Sequence, residues 1–252
     1  MRLRHKLYWL AAVSLVIALS FYAAKHATFH IKAYAQVTAT PFVAETDVYE
    51  FRSNPQGSLF LKQVVARRSD GSTAEVITKE PINVSMRRVT FMNGSTIHAF
   101  DFISAKTSLQ MKPQELAELK QRLTNPPMNC VYFDAQIIDR QRLFGQEFIV
   151  QQYSINEHRT TDWFAPQLGC EILGYRIGFK QPDGSYKLMT EARLVSLEMR
   201  EPDGAFFDPA ANFEEALPSE IIRRHYQKIG QPEPKEDEQH AKRDDQYVKD
   251  RK

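Results

Sequence analysis

Two histidine–aspartate pairs come closest to a catalytic spacing in this sequence. His158 and Asp162 lie four residues apart, and a turn between them would bring an imidazole and a carboxylate together as a general base and its orienting partner. The alternative is that both are exposed loop residues between two strands. His98 and Asp101 lie three apart in a predicted strand, so their side chains point to opposite faces and cannot share a metal ion.

Other catalytic motifs are missing from the sequence. There is no Gly-x-Ser-x-Gly or Ser-x-x-Lys segment to supply a serine nucleophile, and no glycine-rich loop fits a phosphate group. The net charge is only +2, from 33 basic and 31 acidic residues, which gives no electrostatic footprint for nucleic acid. The sequence therefore predicts no enzyme, no metal site, no cofactor and no nucleic-acid partner.

The chain contains two cysteines, Cys130 and Cys170. No Cys-x-x-Cys motif is present, and no histidine lies at metal-ligand spacing from either thiol, which disfavours a metal or redox role. In an exported chain, two cysteines most simply form one disulfide. Two unpaired buried thiols are the alternative.

The N-terminus has the features of an export signal. Arg2, Arg4 and Lys6 precede an uncharged apolar run over residues 7–24, which is at the lower length limit for a membrane-spanning helix. A small-x-small cleavage site ends at Ala35, so residues 1–35 are either a cleaved signal peptide or a retained inner-membrane anchor. Both interpretations place the body of the protein outside the cytoplasm, in the periplasm of a bacterial cell.

The body of the chain is predicted to consist of short β segments joined by turns. Apolar and polar residues alternate, and Asp70-Gly71, Asn93-Gly94 and Asp183-Gly184 are typical of tight hairpins. Residues 139–145 are predicted to be a link between strands. The predicted strands cover residues 48–52, 59–68, 73–78, 84–92, 97–103, 130–135, 147–155, a segment ending at Phe164, 172–179 and 187–199.

Two segments interrupt the strands with helical patterns. Residues 112–124 carry Leu116, Leu119 and Leu123 at helical spacing, and Asn125-Pro126-Pro127 ends the pattern. Residues 218–227 form a second, shorter helix. Residues 36–46 are predicted to be a linker, residues 47–229 the folded domain, and residues 230–252 a charged tail too polar to order itself.

Aromatic residues make up 11% of the chain, and many lie in or beside the predicted strands. Most such residues form the core. A sheet that curls around them would also leave a concave apolar surface. The candidate ligand-binding residues on this basis are Phe100, Phe102, Phe148, Trp163, Phe164, Tyr175 and Phe179.

Two short motifs carry a family resemblance. Trp163-Phe164-Ala165-Pro166 with Leu168 precedes a strand pair, and Glu201-Pro202-Asp203 with Phe206-Phe207 and Pro209 follows the last strand. Over residues 48–209 the chain resembles uncharacterised exported bacterial envelope proteins that are similar to the lipoprotein-carrier (LolA/LolB-like) half-barrel. The resemblance implies a curved sheet wrapped around a helix, able to hold an acyl chain, and it supplies no catalytic residue.

The expected fold class is therefore α+β, with a strongly curved antiparallel half-barrel sheet of eight to ten strands and one or two helices packed against it. The first functional hypothesis is a non-enzymatic envelope protein that binds a lipid or other apolar ligand in the curved sheet. The second is an interaction or sensor module that binds another envelope protein. The third is a hydrolase with a site near His158 and Asp162.

Overall fold

The computed structural model describes residues 39–79, 84–125, 130, 135–208, 212–228 and 230. Within these ranges twelve strands form one sheet, and two α-helices accompany it: α1 (Pro113–Thr124) and α2 (Pro218–Lys228). The strands are β1 (Phe42–Glu50), β2 (Ser58–Arg67), β3 (Thr73–Lys79), β4 (Val84–Thr90), β5 (Ser95–Phe100), β6 (Ala105–Gln110), β7 (Gln136–Leu143), β8 (Gln146–Ile155), β9 (His158–Ala165), β10 (Glu171–Lys180), β11 (Tyr186–Glu198) and β12 (Glu214–Glu215).

The structure confirms an α+β fold built on a curved, mostly antiparallel sheet, and it corrects several boundaries. β1 begins at Phe42, so residues 42–46 belong to the sheet and not to the predicted linker. The strand predicted over residues 97–103 ends at Phe100, and a 3₁₀ turn over Asp101–Ile103 leads into β6, which the sequence pattern did not indicate.

A second correction concerns the segment before β8. Residues 139–143, predicted to be a link, belong to β7. Cys130 and Ala135, the ends of a predicted strand, lie outside any strand, and residues 131–134 lie outside the described residues. The signal or anchor segment over residues 1–35 and the tail over 231–252 are also outside them. No helix within the described residues is long and apolar enough to cross a membrane.

Three hairpin turns share one local device. In each, an Asp or Asn side chain accepts a hydrogen bond from the backbone N–H two residues later: Asp70 from Ser72 (2.7 Å), Asn93 from Ser95 (2.9 Å) and Asp183 from Ser185 (2.9 Å). The intervening glycine adopts φ between +83° and +90°, which residues with a Cβ adopt only with strain. The sequence prediction of these three turns is confirmed.

The strands follow the order β12-β6-β5-β4-β3-β2-β1-β11-β10-β9-β8-β7. Every neighbouring pair is antiparallel except β12 and β6, which are parallel. β1 therefore lies beside β11, and this pairing joins two meanders, β1–β6 and β7–β11, into one sheet.

The sheet is strongly curved. β2 and β10 are three strand spacings apart, about 14 Å in a flat sheet, yet the Arg67 guanidinium on β2 forms an ion pair with the Glu171 carboxylate on β10. A polar cavity of about 110 Å³ is lined by Gln63, Glu75 and Arg88 from β2–β4 together with Glu171 and Ile172 from β10. The face that carries Glu75 is therefore the concave one.

The end of the sheet that carries the turns at Gly71 and Gly94 is covered by α1. A Cβ placed at Gly71 would lie 3.0 Å from Leu123 Cδ1, and one at Gly94 would lie 3.2 Å from Leu116 Cδ2. The leucine stripe of α1 thus packs across the hairpin tips, which explains why both turns approach it so closely. We call this the α1 end, and we call the opposite end, where Glu50, Lys79, Ile155 and Lys180 lie, the open end.

The convex face of the first meander has its own cover. Val43, Ala66, Ala74 and Val89 lie side by side in register across β1–β4 and are buried. The small side chains leave room for Phe207, from the 3₁₀ turn Gly204–Phe207, which packs with them in one apolar cluster.

Candidate ligand-binding surface

Three cross-strand rows make up the concave face over β8, β9 and β10, because residues opposite each other in register share a face. The inner row is Gln151, Asp162 and Tyr175; the middle row is Tyr153, Thr160 and Ile177; the outer row is Ile155, His158 and Phe179.

The inner row is polar, and its electrostatics show that this face is the concave one. Gln151 and Asp162 are buried. Burial raises the pKa of the Tyr175 hydroxyl, and together with the negative charges of Glu75 and Asp162 it brings that pKa to about 12. Since Glu75 lies on β3, four strands from β10, its charge acts on Tyr175 only because the sheet curls them together.

The outer row places two large apolar side chains on either side of His158, exposed at the open end. Ile155 and Phe179 are 44% and 37% exposed, and the His158 imidazole meets the Phe179 ring edge-on with centroids 5.4 Å apart. Ile177 and Tyr153 of the middle row are partly buried below them. The two rows give a continuous apolar strip that runs inward until it meets Asp162 and Tyr175.

A lysine and a phenylalanine lie at the same open end, on the first meander. Lys79 shares the concave face with Glu75, two register steps away on β3, and its ammonium nitrogen lies 3.8 Å from the centroid of the Phe60 ring. Burial lowers the pKa of Lys79 to about 8, and the charge of Glu50 opposes that shift. The open end therefore combines apolar side chains with the ammonium group of Lys79 on the facing strands.

The structure distributes the seven predicted aromatic residues among several places. Phe100, Tyr175 and Phe179 lie on the concave face. Phe148 is fully buried in the largest apolar cluster, with Leu168. The structure thus brings only part of the predicted set to one surface.

Phe164 and Phe102 lie at opposite ends of the molecule. Phe164 is buried in a small cluster with Cys130 and Cys170, which form the predicted disulfide with their Cα atoms 5.3 Å apart. Phe102 lies in the 3₁₀ turn after β5, where its ring meets His225 of α2 edge-on at 5.1 Å.

Trp163 lies on the convex face, opposite the candidate surface. Its indole N–H donates to Gln141 of β7 (3.0 Å), and the Arg176 guanidinium lies 5.3 Å from its ring centroid. Gly174 sits directly beside the indole, where an added Cβ would lie 3.6 Å from Trp163 Cβ.

A buried carboxylate, Glu191, lies next to Arg176 on the convex face. Glu191 accepts hydrogen bonds from Arg176 (2.6 Å) and Arg193 (2.8 Å). Burial favours a raised pKa for Glu191, but the two guanidinium groups outweigh it and the pKa is lowered. The carboxylate is therefore a structural anion that ties β10 to β11.

His158 and Asp162 do not form the pair that the hydrolase hypothesis needs. β9 runs without a turn from His158 to Ala165, which places the two residues about 13 Å apart along one strand face. His158 is exposed, while Asp162 is buried and bonded to Tyr153. Within the described residues no group of three or more His, Cys, Asp or Glu side chains could hold a metal ion.

A second, wider cleft lies at the sheet edge next to α2. It measures about 460 Å³ and is lined by Phe102, Ile103, Ser104, Arg224, Gln227 and Lys228. Arg224 is already paired with Glu214 (2.7 Å) and Glu220 (2.6 Å), so its charge is largely neutralised. The cleft offers two apolar side chains, fewer than the strip at the open end.

Sequence reasoning found Phe179 and Tyr175 but missed Ile155, Ile177 and Lys79 as members of one surface. Ile177 was visible as part of the alternation in β10, and Ile155 as the last residue of a predicted strand. Nothing in the sequence places Lys79 beside them, because β3 and β10 come together only through the pairing of β1 with β11.

No protein-family model matches the chain, and no curated protein matches its sequence. Solved structures that resemble it include the MucA/MucB complex of Pseudomonas aeruginosa (14% identity, TM-score 0.40, covering 71% of this chain and 59% of that one). PNGF-II matches with 10% identity and a TM-score of 0.35, over 73% of this chain and 33% of that one. A LolA superfamily protein, NE2245 from Nitrosomonas europaea, matches with 8% identity and a TM-score of 0.30, over 69% and 91%.

The chain spans about three fifths of the MucA/MucB chain and one third of PNGF-II. At these identities and TM-scores no property of the matched proteins is transferred to this one, and the function is derived from the chain's own residues.

Proposed function

We propose that this protein is a non-enzymatic binding module of the cell envelope that holds a lipid or other apolar ligand on the concave face of its sheet. The observation that carries the proposal is the exposed apolar strip at the open end, formed by the outer and middle rows. Ile155 and Phe179 are large apolar side chains on the inside of a curved sheet, where a bound chain would remove them from water.

The cation at the same end narrows the ligand class. Lys79 lies on the facing strands, so a ligand with an acyl chain along the strip and a carboxylate or phosphate group at Lys79 would use both features. The polar inner row, with Asp162 and Tyr175, ends the apolar surface and limits how deep such a chain can extend.

The setting is proposed to be outside the cytoplasm. A disulfide between Cys130 and Cys170 is typical of proteins in oxidising compartments. The export signal over residues 1–35, whether cleaved after Ala35 or retained as an anchor through residues 7–24, supplies the route.

The test is a titration with a fluorescent fatty acid, with lipid extraction of the purified protein analysed in parallel. Replacing Ile155 and Phe179 with Ala should weaken probe binding about tenfold, since both contacts lose most of their apolar area. The matched control replaces Val195 of β11 and Met199, which follows β11, with Ala. Both side chains are exposed, and this variant should bind the probe as the original protein does.

The head-group part of the proposal has its own comparison. Dodecanoate should displace the probe more strongly than dodecanol, and Lys79→Met should abolish that difference. A protein that yields no lipid on extraction and takes up no probe would overturn the proposed function.

A further inference from the structure

The two edges of the sheet are finished differently in the described part of the chain. At one edge β12 extends the sheet beyond β6, and Ala216 N–H donates to the Lys106 carbonyl (2.9 Å). At the other edge β7 pairs with β8 on one side only. An edge strand of this kind presents outward a row of backbone N–H and C=O groups that can pair with another strand.

β7 keeps the features that strand addition needs. It is eight residues long, contains no proline, and its first five residues are exposed. Ile137 and Ile138 are 41% and 51% exposed. Charge and bulges protect many natural edges from indiscriminate pairing. β7 has a register shift between Ile137 and Asp139 and carries two arginines, so a strand that pairs with it must complement these arginines.

The side chains of β7 divide by face. On the convex side they are engaged: Gln141 accepts from Trp163, Asp139 accepts from Gln141 (2.7 Å), and Leu143 packs against the largest apolar cluster. The arginines lie on the concave side, because Arg140 is opposite Ile149 in register.

The concave side of the edge carries a surplus of positive charge. Arg140 forms an ion pair with Glu147 of β8 (2.7 Å), and Arg142 lies opposite the same residue in register. Two arginines therefore lie on this side of the edge beside one carboxylate, and that carboxylate pairs with Arg140. Both members of the Arg140–Glu147 pair are at least half exposed, so the carboxylate can exchange for another.

We propose that β7 is a docking edge for an extended segment of another protein that carries acidic side chains at alternate positions. Backbone hydrogen bonds to β7 would supply the general affinity, and alternate side chains the specificity. Positions i and i+2 of the incoming segment face Arg140 and Arg142, while an apolar residue beyond them meets Ile137.

In the registers that pair the most residues of β7, a second copy of this chain fits the edge poorly. Antiparallel pairing about a two-fold axis places each residue opposite one whose number differs from its own by zero or an even number. The register centred on Arg140 puts that arginine opposite itself, the next register puts Arg140 opposite Arg142, and the previous one puts Asp139 opposite itself. Like charges directly opposite each other destabilise a pair of strands.

The probe for the test is an end-capped, fluorescein-labelled peptide, Thr-Glu-Val-Glu-Val-Thr, followed by fluorescence polarisation. The double variant R140E/R142E should weaken its binding about tenfold. A peptide with lysine in place of glutamate should prefer the double variant over the original chain. The control K180E/K187E makes the same change in charge away from β7 and should leave binding unchanged.

Hydrogen exchange supplies the location, since peptide binding should slow exchange of amides in residues 136–143 and not at β12. The proposal is overturned if R140E/R142E keeps full affinity for the glutamate peptide, or if the lysine peptide does not bind this variant more tightly than the original chain. It is also overturned if the protection from exchange lies outside residues 136–143. It is also overturned in favour of a second copy if the original chain is a dimer in light scattering and R140E/R142E is a monomer.

Discussion

Asp162 and His98 lie on the concave face of one sheet, and burial moves their pKa values in opposite directions. Burial raises the pKa of Asp162 from 3.8 to about 6 because it disfavours the carboxylate, and a hydrogen bond with Tyr153 opposes the shift. Burial lowers the pKa of His98, and together with the positive charge of neighbouring Arg88 it brings that pKa from 6.5 to about 4.

The two residues act on the free energy of unfolding with opposite signs. The folded chain keeps the Asp162 proton that the unfolded chain loses near pH 3.8, so this contribution is full below 3.8 and is lost as the pH rises to about 6. The folded chain keeps His98 neutral, so its contribution is full above pH 6.5 and is lost as the pH falls to about 4. In the original protein the two effects offset each other.

A single substitution that removes one of the two contributions should make the pH dependence of the free energy of unfolding visible. As the pH is raised from 4 to 6.5, the free energy of unfolding of D162N should increase and that of H98Q should decrease, each by on the order of 2 kcal/mol. Urea unfolding at several pH values measures it. The double variant should restore the original profile, and parallel profiles for all four proteins would contradict the assignment.

Sequence spacing was enough to predict that His98 and Asp101 cannot share a metal ion, because the alternation of side chains in a strand follows from backbone geometry. Asp101 lies in the 3₁₀ turn and pairs with Arg87 (2.6 Å). Spacing could not show that Asp162 is buried. That burial depends on side chains such as Tyr175, from a strand whose position the local sequence does not encode.

At the scale of elements, the disulfide links the chain after α1 to the start of β10. Cys130 follows α1 and Cys170 precedes β10, and the two are 40 positions apart in the sequence. The buried Gln151 amide of β8 donates to the Cys130 carbonyl (2.8 Å), so the same backbone is fixed from two directions.

Removing the disulfide should destabilise the protein substantially. Closing a loop of this length lowers the entropy of the unfolded chain by an amount equivalent to about 4 kcal/mol. C130S/C170S should therefore unfold at a clearly lower urea concentration, and the original protein treated with reductant should match it. An unchanged midpoint would show that the cross-link adds nothing.

The elements that the sequence predicted are those with one buried face, and the ones it missed are polar or very short. β10 alternates because one face is apolar, and α1 carries a leucine stripe. β7 reads Gln-Ile-Ile-Asp-Arg-Gln-Arg-Leu, and its first five residues are exposed whichever face they lie on, so it has no apolar alternation to detect. β12 has two residues and exists only through its pairing with β6.

At the scale of the whole molecule, curvature was expected from the family resemblance, and the structure shows a contact that spans the curled sheet. Arg67 is buried, its guanidinium donates to the Leu168 carbonyl (2.5 Å) and to Glu171, and it lies 4.9 Å from the Phe42 ring centroid. Burial lowers the pKa of Arg67, and the charge of Glu171 counteracts this. Local sequence contains no sign of this contact, since Arg67 and Glu171 are 104 residues apart.

Replacing Arg67 should loosen the curled sheet as a whole. R67M leaves the Leu168 carbonyl without its donor and Glu171 without its cation, and we expect a loss of about 3 kcal/mol in urea unfolding. R67M/E171Q should lose less than the sum of the two single variants, because they remove one interaction. The control is R200M, which removes an exposed pair with Glu198 and should cost less than about 1 kcal/mol. Equal losses in R67M and R200M would mean that the contact between β2 and β10 does not hold the curvature. If R67M also frees amide exchange in β10 but not in β4, the contact acts across the concave face, where the ligand is proposed to bind.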